Sequence, residues 1–155
     1  MATVDGVVTA PDIHGVVQGN GGAVDKLAGG SGNDRLEGHA AFNQYYGGAG
    51  DDTFIFSHKF AVESGAHQGQ STNFADQYAY ITDFAGAGQV GGDFIAFSGK
   101  DWDQSSLTLE HTGTSGTPGA TLFYYSIADN DGHVFNFMVN SLSGQALGAG
   151  DFNFY

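Results

Sequence analysis

The sequence predicts an all-β protein in which a short array of nine-residue repeats leads into a longer β region. Three observations carry that expectation. Glycine supplies 26 of the 155 residues, against two prolines and no cysteine. A nonapeptide frame runs from residue 20 to residue 55. Beyond it, short runs rich in Val, Ile, Tyr and Phe alternate with Gly, Ser and Asn-rich stretches, with no sustained helical period.

The frame holds four consecutive units. Gly29-Gly30-Ser31-Gly32-Asn33-Asp34-Arg35-Leu36-Glu37 and Gly47-Gly48-Ala49-Gly50-Asp51-Asp52-Thr53-Phe54-Ile55 match G-G-x-G-x-D-x-U-x, where U is a large apolar residue, at every fixed place. Between them Gly38 to Tyr46 is a degenerate unit, and Asn20 to Ala28 is another. The sixth places are Asp25, Asp34, Asn43 and Asp52, and the eighth are Leu27, Leu36, Tyr45 and Phe54.

Each place has a physical reason. Glycines at places one, two and four allow the positive-φ turns that aim backbone carbonyls inward, and the sixth-place carboxylate adds a charged oxygen. The next three residues form a short strand whose central apolar side chain enters the core. One turn has too few oxygens for the 6 to 8 that Ca²⁺ prefers, so an ion must be shared between stacked turns.

Residues 1–19 are mildly apolar and Gly-broken and read as an opening strand or cap. After Ile55 the pattern is that of an antiparallel β region, with strands expected at Thr53 to Ser57, Tyr78 to Asp83, Phe94 to Ser98, Ser106 to His111, Thr121 to Ile127 and Val134 to Asn140. Asp129-Asn130-Asp131-Gly132 reads as the hairpin turn joining the last two. Residues 63–73 and 113–119 read as loops.

Charge narrows the partners. Seventeen acids, fourteen of them Asp, stand against Lys26, Arg35, Lys59 and Lys100, a formal charge of -13. Phosphate polyanions need Lys and Arg to displace their counterions, so neither nucleic acid nor anionic lipid is an expected partner. The opening residues lack the basic and long apolar segments of a secretory signal, no stretch is apolar enough to span a membrane, and the absence of cysteine rules out disulfides and thiolate metal sites.

With these motifs the chain resembles the RTX, or haemolysin-type, calcium-binding repeat domains, in particular the C-terminal region of serralysin-type metalloproteases and the R-modules of alginate epimerases. Also similar are Gly47 to Ser57, Ile81-Thr82-Asp83-Phe84, Gly92 to Ser98, and the closing Asp151-Phe152-Asn153-Phe154-Tyr155. The resemblance implies a short parallel β-roll over residues 20–57 and an antiparallel β-sandwich cap over 58–155. It implies Ca²⁺ as cofactor, export through a type I secretion apparatus that reads the Asp151 to Tyr155 tail, and an extracellular location.

In such a roll an ion sits between turn n and turn n+2. The intact turns would then form one strong site from Gly29, Gly30, Ser31, Gly32 and Asp34 with Gly47, Gly48, Ala49, Gly50 and Asp52. The opposite side would form a weak site from Asp25 and Asn43. Asp76, Asp83 and Asp93 are further candidate ligands, although turn capping explains them equally well.

Catalysis finds no support in the motifs. There is no G-x-S-x-G, no P-loop and no H-E-x-x-H, and the relatives' zinc motif belongs to an upstream domain. The six histidines lack close ligand spacing, so zinc and haem are not expected, and the Asp129 turn has Asn140 where an EF-hand needs Glu. The expectation is a non-enzymatic calcium module. Two alternatives stay open: a polysaccharide-binding or enzyme-assisting module, and a self-assembling surface or adhesin component built on open strand edges.

Overall fold

The computed structural model describes residues 23–88 and 92–155, together with the backbone of residues 3–4, 7–8 and 16–18. The protein is mostly β, with parallel and antiparallel pairing. Thr3–Val4 (β1), Val7–Val8 (β2) and Val16–Gln18 (β3) fall in the segment expected as an opening strand or cap; Asn20, Gly21 and Gly22 of the first unit lie outside the described residues.

The repeats supply Val24–Gly30 (β4), Arg35–Glu37 (β5), Phe42–Gly48 (β6) and Thr53–Ser57 (β7). These alternate between two sheets. β4 pairs parallel with β6, setting Leu27 opposite Tyr45, and β5 pairs parallel with β7, setting Leu36 opposite Phe54. Each strand therefore neighbours the one two units away, because the glycine turn at each end carries the chain across to the other sheet.

The eighth-place side chains meet between the sheets. Leu27, Leu36, Tyr45 and Phe54 are fully buried, each contributing about 1.5–3 kcal/mol of burial. Tyr45 packs edge-on against Phe54 with ring centroids 5.5 Å apart. Its hydroxyl accepts from the Gly38 N–H (3.1 Å) and lies 3.3 Å from the Ile55 carbonyl, to which it donates.

After β7 the chain forms a short helix, His58–Glu63 (α1), that the sequence does not announce, since six residues are too few to display a helical period. Next come Ala79–Phe84 (β8), Phe94–Ser98 (β9), Trp102–Thr114 (β10), Thr121–Asp129 (β11), Val134–Ser141 (β12) and Phe152–Phe154 (β13). The antiparallel pairing expected beyond Ile55 is confined to β10–β11–β12. β8 instead pairs parallel with both β6 and β12, and β9 pairs parallel with β7 and β13. The nonapeptide frame lapses at residue 55, yet the alternation between sheets continues, because β8 and β9 present buried apolar faces (Ile81, Phe84, Ile95 and Phe97) to the same core.

The resulting sheets have the orders β1-β2-β4-β6-β8-β12-β11-β10 and β13-β9-β7-β5-β3. Phe56, at the centre of the second, contacts Tyr78, Phe97 and Phe137 edge-on at 5.2–5.5 Å. Trp102 closes the core by donating its indole N–H towards the Phe56 and Ser98 carbonyls, each at 3.1 Å. No helix among the described residues is long and apolar enough to cross a membrane.

Candidate metal centre

The turn from Gly29 to Asp34 enters β5, and that from Gly47 to Asp52 enters β7, so the parallel pairing of these strands stacks one turn on the other. Gly30, Gly32, Gly48 and Gly50 all have φ between 86° and 109°, where a side chain would be strained. Close approach also requires the glycines: a Cβ on Gly48 would strike the Gly30 carbonyl oxygen, and one on Gly50 that of Gly32. Across the stack the Ala49 N–H donates to the Gly30 carbonyl (3.0 Å), and the Asp51 N–H donates to Asn33 Oδ1 (2.8 Å).

Asp34, Asp52 and Asp93 form a column at the mouths of β5, β7 and β9. The Asp34 N–H donates to Asp52 Oδ1 (2.9 Å) and the Asp52 N–H to Asp93 Oδ1 (2.8 Å). Asp93 Oδ2 accepts from the Ala85 N–H (2.8 Å), so both of its oxygens are engaged. Asp83 accepts from the N–H groups of Gly47 (2.8 Å) and Gly48 (2.9 Å). By contrast, Asp34 Oδ2 and Asp52 Oδ2 are buried with no hydrogen-bond partner. Asp52 as a whole is inaccessible to solvent.

Electrostatics strain this column. Burial pushes the Asp52 carboxyl up to about 6, assisted by the Asp34, Asp83 and Asp51 charges and opposed by the bond from the Asp34 N–H. Burial likewise raises Asp93 to about 6, outweighing the two backbone hydrogen bonds that it makes with Asp52 and Ala85, with smaller help from the Asp52 and Asp83 charges. Asp34 is raised by burial alone. Among the described residues no Lys or Arg forms an ion pair with these carboxylates.

On the other sheet Asp25 lies opposite Asn43, and Asn43 opposite Ala79. Asn43 Oδ1 accepts from the Ala40 N–H (2.9 Å), and Nδ2 donates to the Ala40 (2.9 Å) and Tyr78 (3.2 Å) carbonyls. Asp25, also inaccessible, accepts from the His39 N–H (3.0 Å). Asp76 stands apart, receiving the Ser71 hydroxyl at 2.7 Å, a bond that lowers its pKa.

The Asp151 to Tyr155 tail is built into the second sheet. Asp151 accepts from the N–H groups of Gly88 (2.8 Å) and Gly148 (2.7 Å). Phe154 stacks on Phe97 at 4.6 Å, and the Tyr155 N–H donates to the Phe97 carbonyl (3.0 Å).

A second group of donors escapes sequence reasoning altogether. His58 Nε2 and His133 Nδ1 each lie 3.0 Å from Asp129 Oδ2. The two histidines are 75 positions apart in the chain, so no spacing rule could pair them. Comparisons with known proteins return no matching family model and no matching curated protein.

Proposed function

We propose that this chain is a secreted calcium-binding module of the RTX kind: a short parallel β-roll, capped by β10, β11 and β12, that folds around Ca²⁺ after type I export to the cell exterior. The single observation that carries the reading is the pair of buried, partnerless oxygens on Asp34 and Asp52, one on each of two stacked glycine turns. A buried acceptor without a donor costs about 1–3 kcal/mol, and more when charged, so a cation is the partner that would offset it. Both turns are the intact repeats, and carbonyls such as those of Gly30 and Gly32 supply the neutral hard oxygens that Ca²⁺ accepts.

Calcium would neutralise mutually repelling carboxylates in a chain of charge -13 and turn binding free energy into folding free energy. Extracellular calcium modules work at about 10⁻⁴ to 10⁻³ M, which separates a chain unfolded inside the cell from one folded outside it. Type I export fits that order of events: an Asp151 to Tyr155 signal built into a sheet would be legible only before folding.

Circular dichroism during a Ca²⁺ titration of chelator-treated protein tests the proposal. Millimolar Ca²⁺ should induce β structure and Mg²⁺ should not, because Mg²⁺ demands octahedral geometry and sheds its waters reluctantly. A chelated spectrum already fully β and indifferent to Ca²⁺ would overturn it.

A further inference from the structure

Outside the turn column, one cluster brings imidazoles and carboxylates together where the β11–β12 hairpin meets the start of α1. We propose that Asp129, Asp131 and His133 form a site for one divalent transition-metal ion of the Zn²⁺ class, with His58 as the positioning residue that holds Asp129. This site goes beyond the calcium reading and does not depend on it.

Geometry comes first. One ligand atom from each of Asp129, Asp131 and His133 lies within 4.8 Å of the other two. In a tetrahedral site with bonds of 2.0–2.1 Å, neighbouring donors sit roughly 3.3 Å apart. Asp129 Oδ2 and His133 Nδ1 are 3.0 Å apart. Exchanging the proton between them for a metal ion therefore needs only a small outward shift, with the imidazole proton released to solvent. Water would supply the remaining ligand.

Preorganisation is the second argument. Asp129 is buried, and its Oδ1 accepts from the N–H groups of Asp131 (3.0 Å) and His133 (2.8 Å), which fixes the carboxylate within the hairpin. From the other side His58 Nε2 reaches the same Oδ2 at 3.0 Å. The His58 ring is in turn held edge-on to Trp102 at 5.2 Å and to Phe135 at 6.5 Å, with its Nδ1 3.7 Å from Asp101. A histidine locked by the core and aimed at a ligating carboxylate is how metal sites fix ligand orientation.

Donor chemistry selects the ion. An imidazole with two carboxylates suits Zn²⁺, Ni²⁺ or Cu²⁺, whereas Ca²⁺ takes six to eight oxygen ligands and has no use for an imidazole nitrogen. Asp131 and His133 are exposed, so an ion has access without any opening of the core.

Trp102 is the only tryptophan of the chain and touches His58, so its emission reports on the site. The test titrates Zn²⁺ calorimetrically, and Ni²⁺ by Trp102 quenching, into the full chain held in millimolar Ca²⁺. One ion per chain should bind at micromolar concentration, and Zn²⁺ should reverse the Ni²⁺ quenching. His133→Ala and Asp131→Asn, both at exposed positions, should each weaken binding at least about tenfold with an unchanged far-ultraviolet spectrum. His58→Gln should weaken it by about 10–100-fold without changing the stoichiometry. Binding only at millimolar Zn²⁺, or affinity unchanged in both His133→Ala and Asp131→Asn, would overturn the assignment.

Discussion

The two sides of the repeat array face the same problem and resolve it differently. On the β4–β6 side the sixth-place residue of the second turn is Asn43, whose amide donates to the Ala40 and Tyr78 carbonyls and leaves the turn closed by its own hydrogen bonds. On the β5–β7 side the equivalent residue is Asp52, which has no hydrogen to donate and keeps one oxygen buried without a partner. A single nitrogen-for-oxygen exchange separates a turn that completes itself from one left with an unpartnered carboxylate oxygen. Under the proposed calcium reading, dependence on the ion would be set turn by turn through the sixth place.

The largest expected effect comes from breaking the open side. Asp52→Ala removes a partnerless oxygen and the acceptor of the Asp34 N–H, and should raise the Ca²⁺ midpoint by about tenfold or more, equivalent to about 1.4 kcal/mol. Asp34→Ala should act on the same ion, so the double mutant should fall well short of the summed effects in calorimetric titration. Simple additivity would mean that the two carboxylates serve separate ions.

Exchanging the sixth-place residues sharpens the comparison next. Asn43→Asp should destabilise the chelated protein by about 1–3 kcal/mol in urea unfolding, by replacing donors with an unsatisfied buried oxygen. Asp52→Asn should do the reverse, stabilising the chelated form while weakening Ca²⁺ binding. If both substitutions shift chelated stability in the same direction, the amide is not what distinguishes the two sides.

A pH effect of intermediate size follows from the raised carboxyls. Without calcium, Asp52 and Asp93 titrate at about 6 in the fold, against about 3.9 for an unfolded Asp. The fold then binds protons that the unfolded chain has lost. Their stabilising contribution is full below about pH 4 and disappears as the pH rises through 6. Chelated protein should consequently hold more β structure at about pH 5 than at about pH 7.5, while Ca²⁺, competing with those protons, binds more weakly at the lower pH. Circular dichroism in chelator across that window checks the sign.

Smallest of all should be Asp25→Ala. It removes the acceptor of the His39 N–H, worth about 1 kcal/mol, on the side that Asn43 has already closed, and should leave the Ca²⁺ midpoint nearly unchanged. A midpoint shift rivalling that of Asp52→Ala would invert the comparison.

How much of this was legible depends on distance along the chain. The repeat frame identified the core side chains at Leu27, Leu36, Tyr45 and Phe54 and both stacked turns, because period and turn chemistry are local. The bounds of β7 and β9 also follow from local pattern. Four features were not legible. Helix α1 is too short to display a period. The parallel pairing of β8 and β9 depends on which sheet edge they meet, and their apolar runs look alike in either direction. Asp93 joins the Asp34–Asp52 column across a loop that has lost the nonapeptide frame, so its sequence cannot separate a column member from a turn cap. The convergence of His58 and His133 on Asp129 is wholly tertiary.

The alternation of strands between sheets also limits how such a molecule can change its length. Equivalent positions recur eighteen residues apart, as the Asp34 to Asp52 bond records, whereas the repeat itself is nine. Gaining or losing two repeats would leave each strand facing the sheet it already faces. Gaining or losing one would send every later strand to the opposite sheet relative to those before it, so that β8 and β12 would no longer share a sheet with β1 and β2. Insertions and deletions in the array are thus constrained by parity, and its natural unit of growth is a full circuit of two turns.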